Sequence, residues 1–222
     1  MYTRSSTAHR TRIFGLILLL TITAMNCAVA QTIRQITPAA LASILAQPWA
    51  TPASGSPDAD VTLVEYFDYN CPVCRRIEPQ LRKLLANDPG IRVIHKDWPV
   101  FGEASVYAAY CSFAAAREGQ YAKAHDALIE SKQDLDSRED VRKVLQQAGF
   151  DLKKIDADIS LHQKEYSAAL TRNLREATAL GLRGTPGLVI DKQLVPGGLD
   201  YPQLLRLVAE ARNARSAAKP PG

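Results

Sequence analysis

Cys71-Pro72-Val73-Cys74 stands between an apolar run, Val61 to Phe67, and a helical pattern in which Ile77, Leu81, Leu84 and Leu85 recur on one face. The run before it reads as a buried strand, and the pattern after it as a helix from Pro72 to about Asn87. Asp88-Pro89-Gly90 then turns the chain into a second strand, Ile91 to Asp97. Strand, helix, strand in that order opens a parallel α/β sheet. Two thiols three residues apart at the start of a helix are close enough to share one disulfide, and the first faces the helix's positive end.

Working outward, Thr37-Pro38 opens a short helix, with Thr as N-cap and Pro at the first helical position, running to about Ala46. Pro48 to Asp60, rich in Pro, Ser, Gly, Ala and Asp, reads as a linker. After Trp98-Pro99 the texture turns helical: Ser105 to Glu118, Tyr121 to Ser131, a third helix opened by a capping box at Ser137-Arg138-Glu139-Asp140 and ended by Gly149, and a long one near Ser160 to Leu180 with Leu170, Leu174 and Ala177 on one face. Strand character returns at Gly187 to Asp191, with a hairpin into Leu194 to Pro196, and a last helix follows from Tyr201 to about Arg212. The resulting division is 1–30 signal peptide, 31–57 N-terminal helix and linker, 58–102 first part of the α/β core, 103–180 helical insertion, 181–213 second part of the core, and 214–222 flexible tail.

The first thirty residues read as an address. Arg4, Arg10 and Arg12 precede an apolar stretch, Ile13 to Ile22, and Ala28-Val29-Ala30 supplies small residues for cleavage. The stretch is short for a membrane span, which needs about 20 residues. Cleavage after Ala30 discards Cys27 and three arginines, which lowers the formal charge of the 222-residue chain from +4 to +1. No case for nucleic acid, or for an anionic membrane surface, survives that change. The expected product is an exported bacterial protein of the periplasm, with no stable membrane insertion after cleavage. Its remaining cysteines are Cys71, Cys74 and Cys111, too few for a disulfide-built scaffold, and in an oxidising compartment a Cys-x-x-Cys is redox-active or metal-binding.

Cys71 is the candidate nucleophile, because a helix N-terminus favours the thiolate that reacts. Cys74, one turn further in, is the resolving thiol. The competing readings are a structural disulfide or two zinc ligands, but zinc asks for more ligands than His95, His125 and His162 offer at their scattered positions. Gly184-Thr185-Pro186-Gly187 is the second feature. Alone it fits a trans turn and a cis bond equally; downstream of a Cys-x-x-Cys it favours cis, which exposes the Thr185 backbone to an extended peptide and brings Pro186 near the thiols. Glu65 is anomalous: Val61, Leu63, Glu65 and Phe67 share one strand face, and an acid among apolar neighbours calls for a partner, with Lys96 one option. Cys111, among Ala108, Ala109, Phe113 and Ala114, reads as a small buried hydrophobe. Asp68, Tyr69 and Asn70 lead into the thiols as candidate walls of a peptide groove, and Trp98 and Phe101 read as core.

Phe67-Asp68-Tyr69-Asn70-Cys71-Pro72-Val73-Cys74, taken with Gly184-Thr185-Pro186-Gly187, resembles the DsbA family of thioredoxin-fold thiol–disulfide oxidoreductases. The resemblance runs from about Asp58 to Arg212 and accounts for the helical insertion. It implies a thioredoxin fold with an inserted α-helical subdomain and catalysis at Cys71 and Cys74. It implies further that Thr185 and Pro186 bind substrate, and that Glu65 shuttles a proton for the second cysteine. The implied partners are cysteine-containing exported proteins and a membrane redox partner for recycling, with no cofactor and no metal. The Thr before the proline resembles isomerase-like members, while residues 31–57 are too few for the N-terminal dimerisation domain of the hinged isomerases. Val73, which brings neither charge nor a hydrogen bond, suggests a milder oxidant than the strongest of the family. Two other classes stay open: a soft-metal carrier holding Cu(I) on the same two thiolates, and a chaperone that only holds unfolded chains.

Overall fold

A computed structural model describes residues 32–46 and 52–218, all within one unit, Gln31–Gly222. The expected leader, its cleavage site, Cys27 and the last four residues lie outside the described residues. Strands β1 (Arg34–Gln35), β2 (Ala53–Gly55), β3 (Val61–Phe67), β4 (Ile91–Asp97), β5 (Gly187–Ile190) and β6 (Gln193–Pro196) form one sheet in the order β1-β6-β5-β3-β4-β2. Only β3 and β4 pair in parallel, as a strand–helix–strand crossover requires; every other pairing is antiparallel. The crossover is α2 (Pro72–Asn87).

The central strands are buried on both faces, and their alternation sorts the core. Val61 and Leu63 of β3 face α2 and α7 (Tyr201–Ala218), with Ile77, Leu81, Leu204 and Leu207. Val64 and Tyr66 face the other way, toward Ile44 of α1 (Pro38–Leu45) and Ala177 at the end of α6 (Leu152–Ala179). Between β4 and β5 the chain builds α3 (Glu103–Arg117), α4 (Tyr121–Ile129), α5 (Arg138–Gln147) and α6, whose apolar sides close on Phe67, Tyr69, Cys71 and Cys74. The inserted subdomain is therefore continuous with the floor of the Cys-x-x-Cys segment.

The local signals act as expected at several ends. Thr37 Oγ1 accepts from Ala40 N at 3.1 Å, and Ser137 and Asp140 form the reciprocal capping box of α5. Other readings need correction. The expected linker contains β2, which pairs with β4 through Ala53–Ile94, Ser54–Val93 and Gly55–Arg92. Helix α7 runs to Ala218 instead of ending near Arg212. Arg212 holds Asp60 and Asp88, and Arg215 holds Asp191, so the last turns are tied to the sheet's loops. Helix α6 begins at Leu152, well before Ser160, and Leu174 is exposed, while Leu170 and Ala177 are buried as expected.

Candidate active site

Cys71 is the N-cap of α2, and its Sγ accepts from Cys74 N at 3.4 Å. Pro72 follows at the first helical position, where its missing N–H costs nothing. The Cys71 thiol donates to the Thr185 carbonyl at 3.3 Å, and the Thr185–Pro186 bond is cis. Cys74 lies wholly inside, against the helical insertion. The pair is a dithiol in this structure.

The two thiols differ sharply in acidity. A hydrogen bond from Cys74, another from Thr185 and the backbone N–H groups of Cys74 and Val73 outweigh burial and hold Cys71 down at about 6. For Cys74, burial, then its bond to Cys71 and the nearby charge of Glu65, push ionisation far upward. At neutral pH one sulfur is a nucleophile and the other keeps its proton. Cys111 is sealed in α3, and burial pushes it up to about 12, as suits an inert packing thiol.

Beside the cis-proline a groove of about 570 Å³ opens, lined by Val73, Ile77, Thr185, Pro186, Gly198 and Tyr201. Pro186 O accepts from Gly197 N at 2.8 Å, which fixes the proline loop to the chain leaving β6. A Cβ on Gly198 would fall 2.6 Å from Ile77 Cγ2 and 2.9 Å from Val73 Cγ1, so only glycine lets that chain pass so near α2. Cys71 is only 2% exposed.

Of the residues before the thiols, Asp68 and Tyr69 are buried, and Asn70 lines a cavity beside the site. Asp68 accepts from Asn70 N, Val100 N and Phe101 N at 2.6–3.0 Å, binding the two loops beside the site. Asn70 donates to Ser105 Oγ and Leu135 O, and Tyr69 is buried. Asp68 and Tyr69 anchor the site, while Asn70 both ties it to the insertion and lines a cavity with Pro72, Arg75 and Phe101. Trp98 is core, whereas Phe101 is 52% exposed beside Asn70, Pro72 and Arg75.

Glu65 is 1% exposed, and burial raises its pKa. Its partner is not Lys96, which points to the opposite face and donates to Glu176 at 2.6 Å. Glu65 faces His95 instead, Oε2 to Nδ1 at 3.5 Å. Two of the three histidines that look scattered along the chain converge here: the His95 and His125 rings lie 4.6 Å apart, and His125 Nε2 is 3.5 Å from the buried Glu78, while His162 stays on α6 beside Asp158 and Glu165. The one sequence signal was the parallel register, which sets Glu65 opposite His95. Among the described residues no group of three or more His, Cys, Asp or Glu side chains is placed to hold a metal.

Residues 49–210 match the thioredoxin family. A thioredoxin-like oxidoreductase from Silicibacter pomeroyi DSS-3 is 33% identical, covering 80% of this chain and 99% of that one, with a TM-score of 0.73. The chain belongs to the thioredoxin family, in its DsbA-like branch. Other DsbA-like and thioredoxin-like relatives agree. A periplasmic thioredoxin-like protein from Salmonella enterica serovar Typhimurium is 29% identical over 80% of this chain and 98% of its own, at a TM-score of 0.65. The thiol–disulfide exchange protein alpha-DsbA2 of Wolbachia pipientis is 26% identical over 72% and 86%, at 0.67. Among curated proteins, the Na(+)/H(+) antiporter NhaA 1 of Mycolicibacterium gilvum is 27% identical over 161 residues, 71% of this chain and 26% of that protein. The chain thus spans about a quarter of the length of these mycobacterial relatives, and among its described residues no helix is long and apolar enough to cross a membrane.

Proposed function

We propose that this chain is a periplasmic thiol–disulfide oxidoreductase that exchanges disulfides with exported proteins through Cys71 and Cys74. The observation that carries the reading is the placement of Cys71 at the start of α2, accepting from Cys74 N and donating to the Thr185 carbonyl before a cis-proline; the unequal acidity of the two thiols supports it. In the oxidising direction a substrate thiolate attacks Cys71 of the Cys71–Cys74 disulfide. That bond breaks, Cys74 leaves with the electron pair and takes a proton, and a second substrate thiolate then displaces Cys71. In the reducing direction the Cys71 thiolate attacks a substrate disulfide, and Cys74, once deprotonated, releases the product. Glu65 is the acid–base partner of Cys74 in both, since its charge is felt at that sulfur. Substrate lies extended along the groove, paired with the Thr185 backbone beside Pro186. A membrane redox partner returns the pair to its working state. A thiolate at about 6, with Val73 adding no charge, fits an oxidant milder than one whose cysteine ionises near 3.5.

Replacing Cys74 by Ser tests the scheme. The variant accumulates mixed disulfides with dithiol proteins at Cys71, whereas Cys71→Ser abolishes exchange. The reading fails if Cys71→Ser still exchanges disulfides. It fails equally if the native protein binds Cu(I) on both thiolates but does not oxidise or reduce a two-cysteine peptide. Equilibration with glutathione then sets the direction: a potential near about −120 mV belongs to an oxidase and one near about −270 mV to a reductant.

A further inference from the structure

A carboxyl group that exchanges protons with Cys74 must also exchange them with water, and Glu65, at 1% exposed, has no direct access to it. The fold supplies an intermediary. Pairing of β3 with β4 sets Glu65 opposite His95, and Glu65 Oε2 and His95 Nδ1 face each other at 3.5 Å, both buried and neither holding a hydrogen bond. On the far side of the ring, His95 Nε2 lies 3.0 Å from Ser54 Oγ. Ser54 is half-buried on β2, the last strand of the sheet. Carboxyl, imidazole and hydroxyl thus stand on three neighbouring strands, from β3 inside the sheet through β4 to β2 at its edge.

We propose that His95 and Ser54 form the proton route between Glu65 and solvent, which makes His95 a proton-positioning residue of the exchange. The inference rests on the assignment of Glu65 as the acid–base partner of Cys74. When Cys74 is oxidised, its thiol proton passes to Glu65. The thiolate attacks Cys71 of the mixed disulfide, the Cys71–Cys74 bond forms, and the partner sulfur leaves with the electron pair. Glu65 then gives its proton to His95 Nδ1, the ring gives its Nε2 proton to Ser54 Oγ, and the hydroxyl passes its own to water. When Cys74 is reduced the flow reverses, so each full cycle restores the starting imidazole tautomer.

The surroundings favour this ring as carrier. It is faced by Glu65 from β3, by Glu78 from α2, and by His125 and Tyr121 from α4, with ring centres at 4.6 and 5.7 Å. Glu78, kept acidic chiefly by its hydrogen bond to His125 with His95 and Arg82 adding less, supports a passing positive charge on His95. His125 is held neutral by burial and by its neighbour, and its Nδ1 is engaged by the Tyr69 and Tyr121 hydroxyls at 3.2 Å.

The test uses the reduced full chain with oxidised glutathione, acid quenching and mass spectrometry, which separate formation of the Cys71–glutathione disulfide from its resolution by Cys74. His95→Gln keeps a polar side chain between Glu65 and Ser54 but cannot relay a proton, and Ser54→Val closes the outlet to side chain and water alike. Both variants should form the mixed disulfide at the native rate and resolve it at least about tenfold more slowly, with a larger solvent isotope effect on that step alone, since general acid–base groups contribute about 10²–10⁴-fold. Loss of structure would disturb both steps and the thermal melt. If His95→Gln does not fold, Ser54→Val decides. Native resolution in Ser54→Val overturns the route. If Glu65→Gln is slow while His95→Gln and Ser54→Val are not, the route fails and the role of Glu65 stands. If Glu65→Gln is also unimpaired, that role fails and the route with it.

Discussion

At the scale of single residues, the reactivity of the site comes down to the surroundings of Cys71. The Cys74 thiol does most to stabilise its thiolate, Thr185 comes next, and the backbone N–H groups of Cys74 and Val73 add less. The Thr185 hydroxyl is buried and bonds to nothing while Cys71 keeps its proton, so it is free to donate once the sulfur ionises. Thr185→Val should therefore move the Cys71 titration from about 6 upward by about 1–2 pH units, since a hydrogen bond to a charged group is worth about 1.5–3 kcal/mol. Thiolate absorbance against pH checks this, and an unmoved curve would remove Thr185 from the account. The same acidity sets how the couple responds to pH. Below about 6 the disulfide takes up two protons with its two electrons; above it Cys71 stays ionised, Cys74 does not, and one proton is taken up. The potential should fall by about 59 mV per pH unit on the acid side and about 30 mV on the other. A single slope of about 59 mV through neutral pH would show that Cys71 is an ordinary thiol.

At the scale of elements, what could be read along the chain was whatever depends on neighbours in sequence. The Thr37 cap, the capping box at Ser137, the strand–helix–strand order around Cys71 and the proline loop are all local patterns, and all are present. Strand β2 escaped because Ala53-Ser54-Gly55 has no apolar alternation; it is a strand only because β4 offers it an edge. The end of α7 escaped because Arg212 and Arg215 find their acids more than a hundred and about twenty residues away. Lys96 shows the same limit. Adjacent to His95, it points to the other face of the sheet and joins three elements, donating to Ile44 O at the end of α1 and to Glu176 of α6, which also accepts from Tyr66 at 3.1 Å. Breaking a buried ion pair by removing one partner costs about 3–5 kcal/mol. Lys96→Met should lower stability in urea by about 3 kcal/mol, toward the small end because Glu176 is 13% exposed. Adding Glu176→Leu should restore most of that loss. If the single variant is as stable as the native protein, α1 is held by its apolar contacts alone.

For the molecule as a whole, the redox state and the stability of the fold are linked through one proton. In the unfolded dithiol Cys71 ionises near about 8.5, and in the folded dithiol at about 6. A folded pKa below the unfolded one contributes stability that is fully present above about 8.5 and is lost as pH falls through about 6. Cys74 acts in the opposite sense and only at higher pH: raised in the fold, it stays neutral where the unfolded chain would ionise, so it subtracts stability above about 8.5. The disulfide form has neither thiol and supplies the baseline, since every other titrating group is common to the two. The melting temperature of the dithiol minus that of the disulfide should therefore rise from about pH 5 to about 8 and turn over beyond about 8.5. Thermal melts of both forms across that range, at fixed ionic strength, measure the difference directly. A curve that is flat or falling between about pH 6 and 8 would mean that the fold does not favour the Cys71 thiolate. The asymmetry between the two sulfurs, on which the exchange scheme depends, would then have no energetic basis. A rising curve would instead mean that folding favours the dithiol over the disulfide increasingly with pH, relative to the unfolded chain, because the fold holds Cys71 ionised.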